Sequence, residues 1–467
     1  TGRKYNRKSR HTAFAIGIYG DQRRAACPDS SGTRPDALTG SPAPHCRAEF
    51  PRYTCRDMPI IVQKFGGTSV ADAARIRRAA VRAIAAQESG HQVVLVVSAM
   101  GHETDRLVDL AAQISRKPAK RELDMLLSTG EQVSIALVAM AIQEAGRRAI
   151  SLTGGQAGMR TDSDHSAARI QSIDADRIHK LLDAGQIVIV AGFQGVDEAF
   201  NITTLGRGGS DTTAVALAAA LKAETCEIYT DVNGIYTSDP RFVASARLLP
   251  AISYDEMLEM ASLGAGVMHG RSIELAKKYS VPIHVRCSFT DEPGTIIMHA
   301  NQAMEDVAIR GVTLKRDITR ITFVGLPNRP GVVSSIFDEI ARRDIFVDDI
   351  MQNVGGTVNA PAATLGFTVT HSDLDEVRAA ANDLAKQLEV ARVDVNPHLA
   401  RLSVVGVGMR SHRGVAATCF AALAKAGINV ENITTSEIVI SVLVPKDHAE
   451  RALLVLHDAF HLEPAAP

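Results

Sequence analysis

The chain has 467 residues, 46% of them hydrophobic and 22% charged, with a formal net charge of −1. Such a length accommodates about three domains with sizeable cores, and the charge balance excludes any electrostatic case for nucleic acid or a membrane surface as partner. No uninterrupted apolar run approaches the roughly 18 residues of a membrane span, and six scattered cysteines without a CxxC pair predict a reducing, cytoplasmic setting rather than a disulfide framework or zinc site.

Residues 1–57 carry 11 Lys/Arg against 5 Asp/Glu, are rich in Ser, Thr, Pro and Gly, and show no strand or helix period. They read as a disordered extension or a misassigned start, because Met58 stands just before the first credible strand. From there strands and helices alternate. Strands are predicted at Ile60–Phe65, Val93–Ala99, Ala149–Leu152, Ile187–Phe193, Cys226–Asp231 and Pro282–Ser288. Helices are predicted over Ala71–Glu88, Glu103–Ser115, Glu122–Glu144, Ala175–Ala184 and Asp211–Lys222. Continuous apolar strands alternating with helices imply an α/β fold, a mostly parallel sheet sandwiched by helices. Ligands of such sheets bind beyond the carboxyl ends of the strands.

Those ends carry polar and glycine-rich motifs. The first strand runs into Lys64-Phe65-Gly66-Gly67-Thr68-Ser69-Val70. Paired glycines let the backbone approach a ligand, the amides opening the following helix favour an anion, and Lys64 adds a cation, which together make a phosphate cradle. An ordinary tight strand-to-helix turn is the plainer alternative, and the Walker pattern is missing. The second strand ends at Ser98, with Thr104 shortly after. Two further loops are Thr203-Thr204-Leu205-Gly206-Arg207-Gly208-Gly209-Ser210-Asp211 and Thr230-Asp231-Val232-Asn233-Gly234-Ile235-Tyr236-Thr237-Ser238-Asp239-Pro240-Arg241. Two glycine loops suit a bisubstrate site, one for phosphates and one for an acidic acceptor.

From Thr319 onward the sequence repeats itself. Ile321-Thr322-Phe323-Val324-Gly325 matches Leu402-Ser403-Val404-Val405-Gly406, Arg329-Pro330-Gly331-Val332 matches His412-Arg413-Gly414-Val415, and the Asp344–Ile350 stretch matches Gly427–Ile433. Each copy reads as a small α+β unit of the split βαβ kind, and a duplicated unit at the end of an enzyme suggests regulation or dimerisation.

KFGGTSV, Ser128-Thr129-Gly130-Glu131, TTLGRGGSD, TDVNGIYTSDPR and the two repeats closely resemble aspartokinase, over about residues 58–463. The likeness is to the monofunctional bacterial type with two C-terminal ACT domains, which are ferredoxin-like. It implies an amino-acid kinase domain at 58–303, a first ACT domain at 318–397, and a second built from 304–317 plus 398–463. It implies ATP-dependent phosphorylation of the L-aspartate β-carboxylate, the first step toward lysine, threonine and methionine. Lys64, Arg207 and Asp211 would be catalytic. Ser98, Thr104, Glu131, Arg207 and Gly208 would bind aspartate, and Lys64, Gly66, Gly67, Thr230, Asp231, Tyr236 and Arg241 would bind ATP. Mg²⁺ would arrive on ATP, with no metal held by the protein itself. A carboxylate is already ionised at neutral pH, so no general base is required, and catalysis reduces to alignment and charge neutralisation. For Glu131, a helix-capping role is the plainer alternative.

Asn328, Gly331, Gln352, Asn353 and Asn429 match effector positions for lysine and/or threonine, with turn capping as the plainer alternative. The ACT pair implies a homodimer or larger oligomer, and Met304 falls where some relatives start a separate regulatory chain. Two departures stand out: Gly266 replaces a lysine usual in the family, and Ala362-Ala363-Thr364 replaces a more polar strand start. Other readings are a different amino-acid kinase, or an amino-acid sensor whose kinase domain has decayed.

Overall fold

The computed structural model describes residues 58–264, 266–357, 360–388 and 390–464, so the reading of residues 1–57 lies outside the described part. The chain divides into two compact units, one ending at Tyr229 and the other beginning at Thr230.

The first unit runs β1 (Ile60–Phe65), α1 (Ala73–Glu88), β2 (Gln92–Val97), α2 (Glu103–Ile114), α3 (Lys120–Glu144), β3 (Ala149–Leu152), β4 (Met159–Thr161), β5 (Ile170–Ile173), α4 (Asp176–Asp183), β6 (Ile187–Ala191), β7 (Gln194–Val196), β8 (Ile202–Thr204), α5 (Gly209–Leu221) and β9 (Thr225–Thr230). Strands β9, β1, β2, β6 and β3 lie side by side in that order, all parallel. Every residue of β2 and β6 is buried, which is why these strands read as unbroken apolar runs rather than alternating ones. Each such Val, Leu or Ile contributes about 1.5–3 kcal/mol by leaving water. A smaller sheet of order β5-β4-β7-β8 stands apart. Its strands are three or four residues long, too short for a period to show.

Among the described residues helix α3 alone is long and apolar enough to cross a membrane, by length and composition. Leu127, Ile135, Val138 and Ile142 are nevertheless buried, and the fully buried Ser128 and nearly buried Glu131 share that face. It is a core helix.

The second unit contains β10 (Ala251–Ser253), α6 (Tyr254–Ser262), α7 (Gly270–Tyr279), β11 (Ile283–Cys287), β12 (Thr295–Met298) and α8 (Gln302–Glu305). After these come β13 (Gly311–Pro327), α9 (Val332–Arg342), β14 (Val347–Thr357), β15 (Ala360–Thr370), α10 (Leu374–Gln387), β16 (Arg392–Val405), α11 (Val415–Lys425), β17 (Asn432–Thr435), β18 (Val439–Pro445) and α12 (Ala449–Ala459). The duplicated region forms one six-stranded sheet, β14-β15-β13-β16-β18-β17. The repeat is visible residue by residue: Gly331 and Gly414 precede α9 and α11 with φ of 95° and 91°, a conformation that favours glycine. The start of β13 pairs with the second copy, Gly311 opposite Val405 and Leu314 opposite Leu402.

Candidate active site

The site is assembled where strands of the first unit end. Lys64, on β1, and Asp211, in the first turn of α5, form an ion pair at 2.6 Å with both side chains largely buried. An acid in the first turn of a helix also meets the positive end of its dipole. Gly206 and Gly208 adopt φ of 76° and 68°, so the loop carrying Arg207 turns twice through conformations that favour glycine before α5 begins. Arg207 is exposed and has no partner among the described residues, which leaves its guanidinium fork open to an incoming anion.

The first glycine loop differs from the expected helix-start cradle. Gly67–Val70 form a 3₁₀ turn, and α1 begins only at Ala73. Its N-cap is Asp72, whose carboxylate accepts the Arg75 N–H at 2.9 Å, so an acid already occupies the helix start. The Gly66 N–H donates to the Tyr229 carbonyl at 3.2 Å. Close approach belongs to Gly67, where an added Cβ would stand 2.8 Å from the Ala99 oxygen and 2.9 Å from the Gly101 oxygen. This packing holds the ends of β1 and β2 together, as does the Ser98 N–H donated to the Phe65 carbonyl at 3.1 Å.

Glu131 lies in the middle of α3, not at a helix start, so the capping alternative is excluded. Gly130 lets the helix approach β2, because a Cβ there would meet the Ala99 Cβ at 2.8 Å. Glu131 Oε1 accepts the Ala99 N–H at 3.2 Å, and Oε2 is buried with no hydrogen-bond partner among the described residues. Burial pushes its carboxyl up to about 7, because the charged form is poorly solvated there. A buried acceptor without a donor fits a ligand's ammonium group. Thr104 stands in the first turn of α2, half-buried.

Asp124 was not singled out in the sequence. It is fully buried on α3 and accepts the Thr204 hydroxyl at 2.6 Å, the Ser166 N–H at 3.1 Å and a contact from His165 Nδ1 at 2.7 Å. It fixes the strand that leads into the Arg207 loop. Its signal was spacing: positions 124, 128 and 131 share one helix face.

In the second unit, Thr230, Asp231, Tyr236 and Arg241 lie on one segment. The Thr230 hydroxyl donates to Asp231 at 3.1 Å, and Arg241 is held by Asp239 at 2.6 Å. The Gly266 position is open, with nothing within 4 Å of an added Cβ. Of the five effector candidates, Asn353 lines a cavity of about 240 Å³ together with Arg320, Thr322, Met351, Thr364 and Arg392. Asn328, Gly331, Gln352 and Asn429 lie outside that lining, and all four are exposed. Across the described residues Cys226, Cys287 and Cys419 are free and buried.

Residues 59–287 match the amino acid kinase family, and residues 402–460 match an ACT domain. Aspartokinase 2 of Bacillus subtilis (strain 168) is 51% identical over 405 residues, covering 87% of this chain and 98% of the relative. Two crystal structures of E. coli aspartokinase III, one in complex with aspartate and ADP (R-state) and one with lysine and aspartate (T-state), are 26% and 27% identical. Each has a TM-score of 0.68 and covers 86% of this chain and 99% of its own. Half the residues identical over nearly the whole relative, on the same α/β and ACT architecture, make this chain a member of the aspartokinase family.

Proposed function

We propose that the chain transfers the terminal phosphoryl group of ATP to the β-carboxylate of L-aspartate, giving 4-phospho-L-aspartate. The observation that carries this reading is the ion pair of Lys64 with Asp211 at a strand end, together with a buried carboxylate, Glu131, whose second oxygen has no donor among the described residues. Glu131 receives the substrate ammonium, with Ser98 and Thr104 as hydrogen-bonding supports. Arg207 grips the α-carboxylate through its fork, and the Gly208 turn lets that group come close. Asp211 holds Lys64 in place through their 2.6 Å ion pair, so that the ammonium faces the phosphoryl oxygens as charge develops on them.

The Gly66-Gly67 turn approaches the phosphates, while Thr230, Asp231, Tyr236 and Arg241 contact the nucleotide. Mg²⁺ travels on the ATP phosphates and neutralises charge there. The product's place is at the head of lysine, threonine and methionine synthesis, in the cytoplasm, a setting supported by the three free buried thiols. Lysine and/or threonine act as feedback effectors on the ACT pair, a reading supported by the lysine complex of the E. coli relative. The ACT pair also joins protomers into a dimer or larger assembly. A shorter regulatory chain from Met304 would retain every strand of the six-stranded sheet.

An acceptor panel tests the reaction. With Mg-ATP and hydroxylamine as trap, L-aspartate should yield hydroxamate, whereas L-glutamate and N-acetylglutamate should not. Preference for either of the latter would make this a different amino-acid kinase.

A further inference from the structure

The segment 230–250 is built into the second repeat. Ile235–Thr237 and Arg247–Leu249 close it as a hairpin: the Leu249 N–H donates to the Ile235 carbonyl at 2.8 Å, and the Thr237 N–H to the Arg247 carbonyl at 2.9 Å. The Thr237 carbonyl accepts the Val312 N–H of β13 at 2.8 Å. A Cβ on Gly311 would stand 2.6 Å from that carbonyl, so strand and hairpin cannot be moved apart or together without breaking contacts. Val243, from the tip, is fully buried in one apolar cluster with Val312, Leu402, Leu423, Leu456 and Leu462.

The Thr237 side chain closes the connection. It is fully buried. Its oxygen accepts the Arg247 N–H at 3.0 Å and lies 3.2 Å from the Leu462 carbonyl and 3.0 Å from His457 Nε2. A carbonyl can only accept, so the single hydroxyl proton goes to Leu462. His457 must therefore donate from Nε2, and every valence of the hydroxyl is then satisfied. His457, fully buried at the end of α12, is left with Nδ1 bare of any hydrogen-bond partner among the described residues. The surroundings favour a neutral ring, since burial lowers its pKa.

We propose that Thr237 and His457 are positioning residues through which the last helix of the second repeat sets the shape of the 230–241 segment. A movement of α12 is then read as a change in nucleotide affinity. This rests on the reading of that segment as nucleotide-contacting, and the test separates the two. Steady-state kinetics of the full chain are compared for Thr237→Val, Thr237→Ser, His457→Ala, His457→Gln and Arg241→Ala, with Tm measured for each. Losing the hydroxyl's three buried hydrogen bonds in Thr237→Val, or the single one from His457 in His457→Ala, should raise KM for ATP about three- to tenfold or more. KM for aspartate should stay within twofold. Thr237→Ser keeps the hydroxyl, and His457→Gln places an amide N–H where Nε2–H stood, so both should restore KM for ATP. If Arg241→Ala raises KM for ATP while Thr237→Val and His457→Ala leave it unchanged, the nucleotide reading stands and the coupling is overturned. If Arg241→Ala leaves it unchanged, the nucleotide reading fails and the coupling falls with it. A lowered Tm with no selective effect on ATP, in the conservative variants as in the others, also overturns the proposal.

Discussion

Replacing Glu131 by glutamine keeps the shape of the side chain and removes its charge. Burial holds the native carboxyl at about 7, so ionising it in the empty site costs about 3 kcal/mol more than in water. Between pH 6 and pH 8 its ionised fraction rises from about one tenth to about nine tenths. If the carboxylate alone pairs with the substrate ammonium, KM for aspartate should fall about tenfold over that interval, while KM for ATP should change little. In Glu131→Gln the fall should vanish and KM for aspartate should be raised throughout. Stability provides a second readout with a fixed sign. A raised native pKa means that the bound proton stabilises the fold below the ordinary carboxylate range, and this contribution is lost as pH rises through about 7. The glutamine variant has no such loss, so its advantage over the parent should grow by about 2–3 kcal/mol from pH 5 to pH 8. Steady-state ADP release and denaturant titration at each pH measure both. A parent KM for aspartate that is flat with pH, or an equal slope in the variant, would refute the role given to Glu131.

Lys64→Ala should lower kcat by about a hundredfold or more, because a cation facing developing charge is lost; Asp211→Asn should cost less, and the double variant should cost little more than Lys64→Ala. Gly67→Ala should lower stability by about 1–3 kcal/mol and abolish turnover, since its Cβ meets two backbone oxygens below 3.0 Å. Gly66→Ala, whose nearest neighbours lie at 3.6 and 3.8 Å, should fold as the parent does, with Tm as the measure for both. Gly266→Lys enters open space and should leave Tm unchanged while lowering KM for ATP, as a direct titration with nucleotide would also register.

Much of this was legible in the sequence, for reasons that can be traced to particular residues. Long apolar strands such as Val93–Val97 have one interpretation when both faces are covered, and the glycines at 331 and 414 mark the same left-handed turn in both repeats. The carboxylates were harder. Asp72 reads as a bystander beside KFGGTSV, yet its N-cap bond moves the start of α1 away from the glycines. Asp124 lies in a helical stretch where an acid looks solvated, and only tertiary packing gives it three partners. The short strands β4, β5, β7 and β8 lack the length for any period, and the hairpin closed by Thr237 depends on contacts more than 200 residues apart along the chain. Local pattern records which face of an element is buried, but not which distant donor meets a polar group.

The most direct test of the account is ADP release with Mg-ATP and L-aspartate, measured without effector and then with lysine, with threonine and with both. The account predicts turnover that requires aspartate and falls when one of these amino acids, or the pair, is present. Turnover that persists without aspartate, or its absence from folded protein given both substrates, would contradict it.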